Sequence, residues 1–188
     1  KSIDEADRVF YIKSFSKPFM PGIRLAFILP PAAFLKKIAH AKYSTDIFSS
    51  GLFQRTMELF LRRGYWDENA RKIRELFSQR RDLMTKALEK YLPKGVEINI
   101  PKGGVFFWLT LPKGFYSMNL YNDAQKGGVL IVPGDLFYPD RRPSPSFRLS
   151  IAEIEPESID AGVKILSEII VKHIENYPSP GFGPRPML

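Results

Sequence analysis

The residues whose types and spacing permit chemistry gather in residues 11–27, YIKSFSKPFMPGIRLAF. Lys17 follows Ser14 and Ser16, and Arg24 stands seven residues further on. A lysine at the end of an apolar strand, ahead of a Pro-Gly turn, is where a fold can hold an amine in a pocket, and such an amine forms a Schiff base with an aldehyde. Ser14 and Ser16 offer O–H donors and Arg24 a planar cationic fork, which together make a seat for a phosphate group. The chemistry implied is that of one small molecule carrying both an aldehyde and a phosphate. The competing reading of Ser-x-Ser-Lys is a solvated lysine at a strand end.

A second candidate lies far along the chain, in FRLSIA, residues 147–152. Phe147, Leu149 and Ile151 alternate onto one face of a strand and leave Arg148 with Ser150 on the other. An arginine keeps its charge at any physiological pH, so among apolar neighbours it is costly unless it meets an anion. A bidentate pair with a carboxylate is the natural partner. The alternative is a surface arginine on an open sheet face.

The elements that must position these residues are legible from hydrophobic periodicity. Residues 9–12 read as a short buried strand and 24–29 as the next, closed by Pro30 and Pro31, so that Lys17 sits in the connection between strands. Helical periodicity covers 32–42 and 50–63. Between them, 43–49 reads as a hydroxyl-rich loop and N-cap cluster. A long helix runs over 67–92 until Pro93-Lys94-Gly95 ends it, and would span about 40 Å. Strands follow at 96–100 and 104–111, the second after Lys102-Gly103-Gly104, which lacks the spacing of a phosphate loop. Then come a helix over 119–126, a strand and turn over 128–137, a loop over 141–146, the strand bearing Arg148, and an amphipathic helix over 159–177 with Pro156 near its start. Residues 178–188 are proline-rich and read as an extended tail.

Length and composition set the frame. At 188 residues with 44% apolar and 26% charged residues, the chain is an ordinary globular one, large enough to bury a core. No apolar run is long enough to cross a bilayer, and a cytoplasmic location is the default expectation. With no cysteine, neither disulfides nor thiolate metal sites arise, and His40 and His173 have no ligand-spaced partners, so no metal site is expected. The net charge of +8 calls for an anionic partner, with nucleic acid one candidate. Basic residues interleave with acids in stretches such as Arg71-Lys72-Ile73-Arg74-Glu75, which favours a solvated helix face over a nucleic-acid module.

SFSKxxxPGxRLxF closely resembles the cofactor-lysine signature of the fold-type-I pyridoxal 5′-phosphate aminotransferases. GGVFFWL at 103–109 and GVLIVPGDLF at 128–137 resemble further stretches of that family, and FRLSIA resembles its carboxylate-binding strand. The resemblance implies an α/β fold: residues 1–66 as the end of the large cofactor-binding domain, 67–177 as an interdomain helix and small α+β C-terminal domain, and 178–188 as the tail. It implies that Lys17 carries the cofactor and moves protons, that Ser14, Ser16 and Arg24 hold its phosphate, and that Arg148 grips the substrate carboxylate. It also implies a homodimer, to which Tyr43, Ser44 and Thr45 would contribute contacts. The acid that pairs with the pyridine nitrogen and the aromatic residue that stacks on the ring lie upstream of the lysine in the family. Only sixteen residues precede Lys17, so a C-terminal fragment, inactive alone, is expected. Wording such as AKYSTDIFSSGLFQR and LRRGYWDENARKIRELFSQRRDLM resembles the regulators of the MocR type. In these a GntR-family DNA-binding domain, absent from this chain, precedes an aminotransferase-like domain that senses an amino acid or related effector. A free class I aminotransferase is the alternative.

Overall fold

The computed structural model describes residues 1–46 and 48–176, so the tail expected over 178–188 lies outside the described residues. The chain forms two compact units, Lys1–Arg74 and Glu75–Leu188. In the first, β1 (Tyr11–Ser14) and β2 (Ala26–Leu29) pair antiparallel, Tyr11 opposite Leu29 and Ser14 opposite Ala26. The strand expected over 9–12 starts two residues later and is not buried, with Ile12 66% exposed. A sheet of two strands has no layer to cover it, so apolar content alone does not bury it. The strand expected from Arg24 starts at Ala26, because a 3₁₀ turn over Pro21–Ile23 is followed by Arg24 in the left-handed region, φ 49°.

Helix α1 (Leu35–Asp46) follows a 3₁₀ turn over Ala32–Phe34, and α2 (Gly51–Arg62) is capped by the Ser50 hydroxyl, which accepts the Phe53 N–H at 3.5 Å. The loop expected over 43–49 is shorter than that. Tyr43, Ser44 and Thr45 continue α1, which an i,i+4 ion pair from Lys42 to Asp46 at 2.8 Å holds to its end. The Ser44 and Thr45 hydroxyls donate back to the His40 and Ala41 carbonyls instead of capping the next helix. Helix α3 (Tyr65–Tyr91) is continuous, contributing its first turns to the first unit and the rest to the second.

The second unit is built on one antiparallel sheet in the order β3-β4-β6-β5, from β3 (Glu97–Asn99), β4 (Phe106–Thr110), β5 (Val132–Pro133) and β6 (Ser146–Ser150). Helices α4 (Ser117–Lys126) and α5 (Pro156–Asn176) complete it. Phe107 and Leu109 of β4 and Phe147 and Leu149 of β6 point to one face, where they meet Leu88 of α3, Leu120 of α4 and Leu166 and Ile170 of α5. Each such side chain is almost wholly buried and contributes about 1.5–3 kcal/mol of transfer free energy. β5 is two residues long where the apolar run 128–137 promised more. Pro133 has no N–H to give the ladder, and a 3₁₀ turn over Gly134–Phe137 begins at once.

Charge is divided unevenly. The first unit holds 14 Lys and Arg against 7 Asp and Glu, the second 14 against 13. Residues 8–45 contain seven Lys and Arg and no acidic residue. The interleaving seen along α3 therefore does not describe the stretch that contains Lys17.

Candidate cofactor and carboxylate sites

Ser14, Ser16, Lys17 and Arg24 share the connection that closes the β1–β2 hairpin. The ladder ends at Ser14 and Ala26, and the Phe15 N–H then donates to the Leu25 carbonyl at 3.0 Å, pinning the two arms of the loop. The Phe19 N–H donates to the Phe15 carbonyl at 3.0 Å, which winds Ser16 and Lys17 into a single helical turn. The Ser14 hydroxyl accepts the Ser16 N–H at 3.2 Å, leaving its own proton free to donate outward. Asn69 donates to the Pro18 carbonyl at 2.9 Å, and Phe15 and Phe19 pack on Trp66 and Phe60, at 5.8 and 4.5 Å between ring centres. On the far arm, wholly buried Ile23 anchors the 3₁₀ turn that presents Arg24.

Lys17 and Arg24 themselves are exposed, and among the described residues neither forms a salt bridge. Arg24 adopts a left-handed backbone that costs a non-glycine residue about 1–2 kcal/mol, so the position is held at a cost to stability. Two hydroxyls, a guanidinium and an amine on one loop, with no carboxylate nearby in sequence to compete, form a donor set that fits a phosphate ester bearing a carbonyl. A cleft of about 770 Å³ in the first unit lies against Phe15, Leu25 and Met57 and does not include Lys17. Its charged groups are already paired, Lys42 with Asp46 and Glu58 with Arg55 and Arg62, so it offers an anion little.

Arg148 stands in the second unit, on β6, opposite Trp108 of β4 and Val132 of β5. As the alternation required, Phe147, Leu149 and Ile151 enter the core and Arg148 takes the other face. That face is not an open one. The guanidinium carbon lies 4.1 Å from the ring centre of Phe106 and 5.1 Å from that of Phe137, and its Nε is buried without a hydrogen-bond partner. Aromatic rings stabilise the cation from its faces but accept no in-plane hydrogen bond. The orphaned donor marks a place where a carboxylate oxygen would complete the group. Sequence reasoning missed Phe106, Phe137 and Trp108 as neighbours of Arg148. The cue available was the two aromatic motifs, FFW and DLF, flanking the same strand.

Tyr43, Ser44 and Thr45 are exposed on α1, and the last two have hydroxyls already occupied by their own helix. Among the described residues no cluster of His, Cys, Asp or Glu could hold a metal ion, and no helix is long and apolar enough to cross a membrane.

No family model matches the chain. It is 36% identical over 175 residues to aromatic-amino-acid aminotransferase 1 of Thermococcus litoralis, covering 93% of this chain and 42% of that protein. It is 33% identical over 166 residues to the HTH-type transcriptional regulator TauR of Rhodobacter capsulatus, covering 87% of this chain and 34% of that protein. Its fold matches that of LysN, the α-aminoadipate aminotransferase of Thermus thermophilus, solved with N-(5′-phosphopyridoxyl)-L-leucine. That match has a TM-score of 0.84 at 32% identity, over 89% of this chain and 43% of that one. The chain spans about two fifths of the length of the aminotransferases it matches, and less of the regulators. Sequence likeness and fold together make this chain a part of the fold-type-I, pyridoxal-phosphate-dependent aminotransferase domain, the domain that aminotransferases and MocR-type regulators share.

Proposed function

We propose that the chain supplies the lysine loop and the carboxylate-gripping strand of an aminotransferase-like domain, which senses an amino acid or related effector within a MocR-type transcriptional regulator. The observation that carries this reading is the loop closed by Ser14 and Ala26, which gathers Ser14, Ser16, Lys17 and Arg24 without an acid among them. Bound there, pyridoxal phosphate supplies a carbonyl that an amine can capture and a conjugated ring that accepts electron density. The Lys17 amine would hold the cofactor and would serve as the base that moves the substrate α-proton. Ser14, Ser16 and Arg24 fix the phosphate, and Arg148 orients the α-carboxylate so that the reacting bond is correctly directed.

Residues 1–66 act in this reading as the end of a larger cofactor-binding domain. The apolar side chains that β1 and β2 expose, Tyr11, Ile12, Ile28 and Leu29 among them, support it, because they require cover. DNA is bound through a further domain of the full-length protein, which functions in the cytoplasm as a homodimer. The second reading is a class I aminotransferase, favoured by the 36% identity to one such enzyme.

The test is made on the full-length protein with added pyridoxal phosphate, reduced with borohydride and mapped by mass spectrometry. Selective modification of Lys17, lost in Lys17→Ala, is expected, and modification elsewhere would overturn the assignment. The two readings separate on the same preparation. Amino-acid-dependent DNA binding without turnover identifies the regulator, and amino-group transfer to a 2-oxo acid without DNA binding identifies the enzyme.

A further inference from the structure

Phe137 reaches Arg148 from outside the sheet, so its ring lies wherever the 3₁₀ turn Gly134–Phe137 puts it. That turn is tied down by one buried hydroxyl. Ser117, the first residue of α4, is 0% exposed, and its Oγ accepts the Gly134 N–H at 3.1 Å. The same hydroxyl donates to the Ser144 carbonyl at 2.9 Å, with the buried Asp135 carboxylate 3.2 Å away, and the Ser117 N–H donates to that carbonyl as well, at 2.9 Å. The turn is also pressed against the lead-in to β6, since a Cβ at Gly134 would lie 2.5 Å from the Ser144 hydroxyl and from the Ser146 carbonyl. One side chain thus links α4, the turn and the strand that carries Arg148. At the far end of the turn Phe137 packs edge-on against Trp108, 5.2 Å between centres, and over the Arg148 guanidinium.

We propose that Ser117 is a positioning residue for carboxylate binding: by fixing the 134–137 turn it holds Phe137 on the Arg148 guanidinium and keeps its edge aligned for the ligand. The inference rests on the carboxylate role given to Arg148 above. Ser117 touches no ligand; it acts through Phe137. Without the hydroxyl, the Gly134 N–H loses its buried acceptor, the turn relaxes, and the ring no longer restricts the guanidinium to one orientation.

The test compares two probes on the full-length apoprotein by calorimetry: N-(5′-phosphopyridoxyl)-L-alanine and N-(5′-phosphopyridoxyl)-ethylamine, which differ only in the carboxylate. Ser117→Ala and Phe137→Leu are each expected to weaken the alanine probe by about tenfold and leave the ethylamine probe unchanged, the size of one misaligned charge-assisted hydrogen bond. The double variant is expected to lose no more than the greater single loss, because both changes act through one ring. Equal losses for the two probes, additive losses, or an unchanged alanine affinity in Ser117→Ala would overturn the proposal. Phe137 is 47% exposed, so Phe137→Leu keeps the question decidable should Ser117→Ala fail to fold: unchanged discrimination in that variant also overturns it. Arg148→Met separates the two levels. If it fails to erase the difference between the probes, the carboxylate role of Arg148 itself is wrong. If it erases the difference while Ser117→Ala does not, only the positioning role is wrong.

Discussion

Replacing Arg148 by methionine should stabilise the apoprotein while destroying carboxylate recognition. The stability change has three parts. The orphaned, buried Nε of Arg148 costs about 1–3 kcal/mol as an unsatisfied donor, and Arg148→Met removes it. The cation loses its attraction to the rings of Phe106 and Phe137, about 0.5–1 kcal/mol each at a partly exposed site. Met returns a thioether contact with the same rings, about 0.3–1.5 kcal/mol, and a stem of similar length. The sum is a gain of about 1 kcal/mol, which for a unit of this size raises the midpoint of unfolding by about 4–8 °C. The ligand change is larger and of opposite sign. A bidentate, charge-assisted pair is lost, about 3 kcal/mol or more, which weakens the alanine probe by roughly a hundredfold or more. Differential scanning calorimetry on the apoprotein and titration with the probe measure both. A midpoint lowered by several degrees would refute the reasoning, because it would mean that the guanidinium holds the sheet together and the orphaned donor is no sign of a missing ligand.

At Arg24, substitution separates strain from charge. Arg24→Gly and Arg24→Ala both remove the guanidinium and are expected to weaken cofactor binding alike. Only glycine accepts φ 49° freely, so Arg24→Gly should be the more stable of the two by about 1 kcal/mol in denaturant, and equal stabilities would show that the left-handed backbone is not maintained in solution. Acid should loosen the amino-terminal clasp. The N–H groups of Val9 and Arg8, with help from the Lys1 amine, lower the Asp4 carboxyl to about 2, and the Lys1 amine and the Ala32 N–H lower that of Asp7. Both folded values lie below the unfolded ones, so the contribution is complete above about pH 4 and disappears as the pH falls toward 2. Protection of the Val9 and Ala32 amides, taken relative to their intrinsic exchange rates at each pH, should fall over that window, and unchanged protection would show that the carboxylates do not hold them.

Much of this was legible in the chain because it rests on local physics. The period-2 pattern at 147–151 placed Arg148 on the correct face, and the seven-residue spacing from Lys17 to Arg24 singled out one loop. What escaped depended on partners distant in sequence or on side chains with two uses. Ser44 and Thr45 look like loop and capping residues, yet an ion pair four residues long keeps the helix going and turns their hydroxyls back onto it. Val9 and Phe10 have the composition of a buried strand, but burial is conferred by a covering layer, which a two-stranded sheet does not supply. Ser117 gave no signal, since its three polar contacts lie 17 to 27 residues away and no periodicity links them. The charge pattern was visible but was averaged over the chain, which hid the acid-free run at 8–45.

That run has a kinetic meaning. Residues 8–45 carry seven cations and no acidic residue, and although Lys42 is paired with Asp46 and the Asp7 carboxylate reaches the Ala32 N–H, the excess of positive charge draws anions from beyond contact distance, so the arrival rate of a phosphate ester should fall as salt is added. Attraction of this kind does not discriminate: inorganic phosphate and nucleotides are drawn as readily as the cofactor. If Lys17 holds the cofactor as proposed, selection would reside in the departure rate, since among the loop residues its amine alone can bond a carbonyl compound. On the proposed reading, capture would be general and retention specific, the loop dividing the two tasks between its charges and its amine.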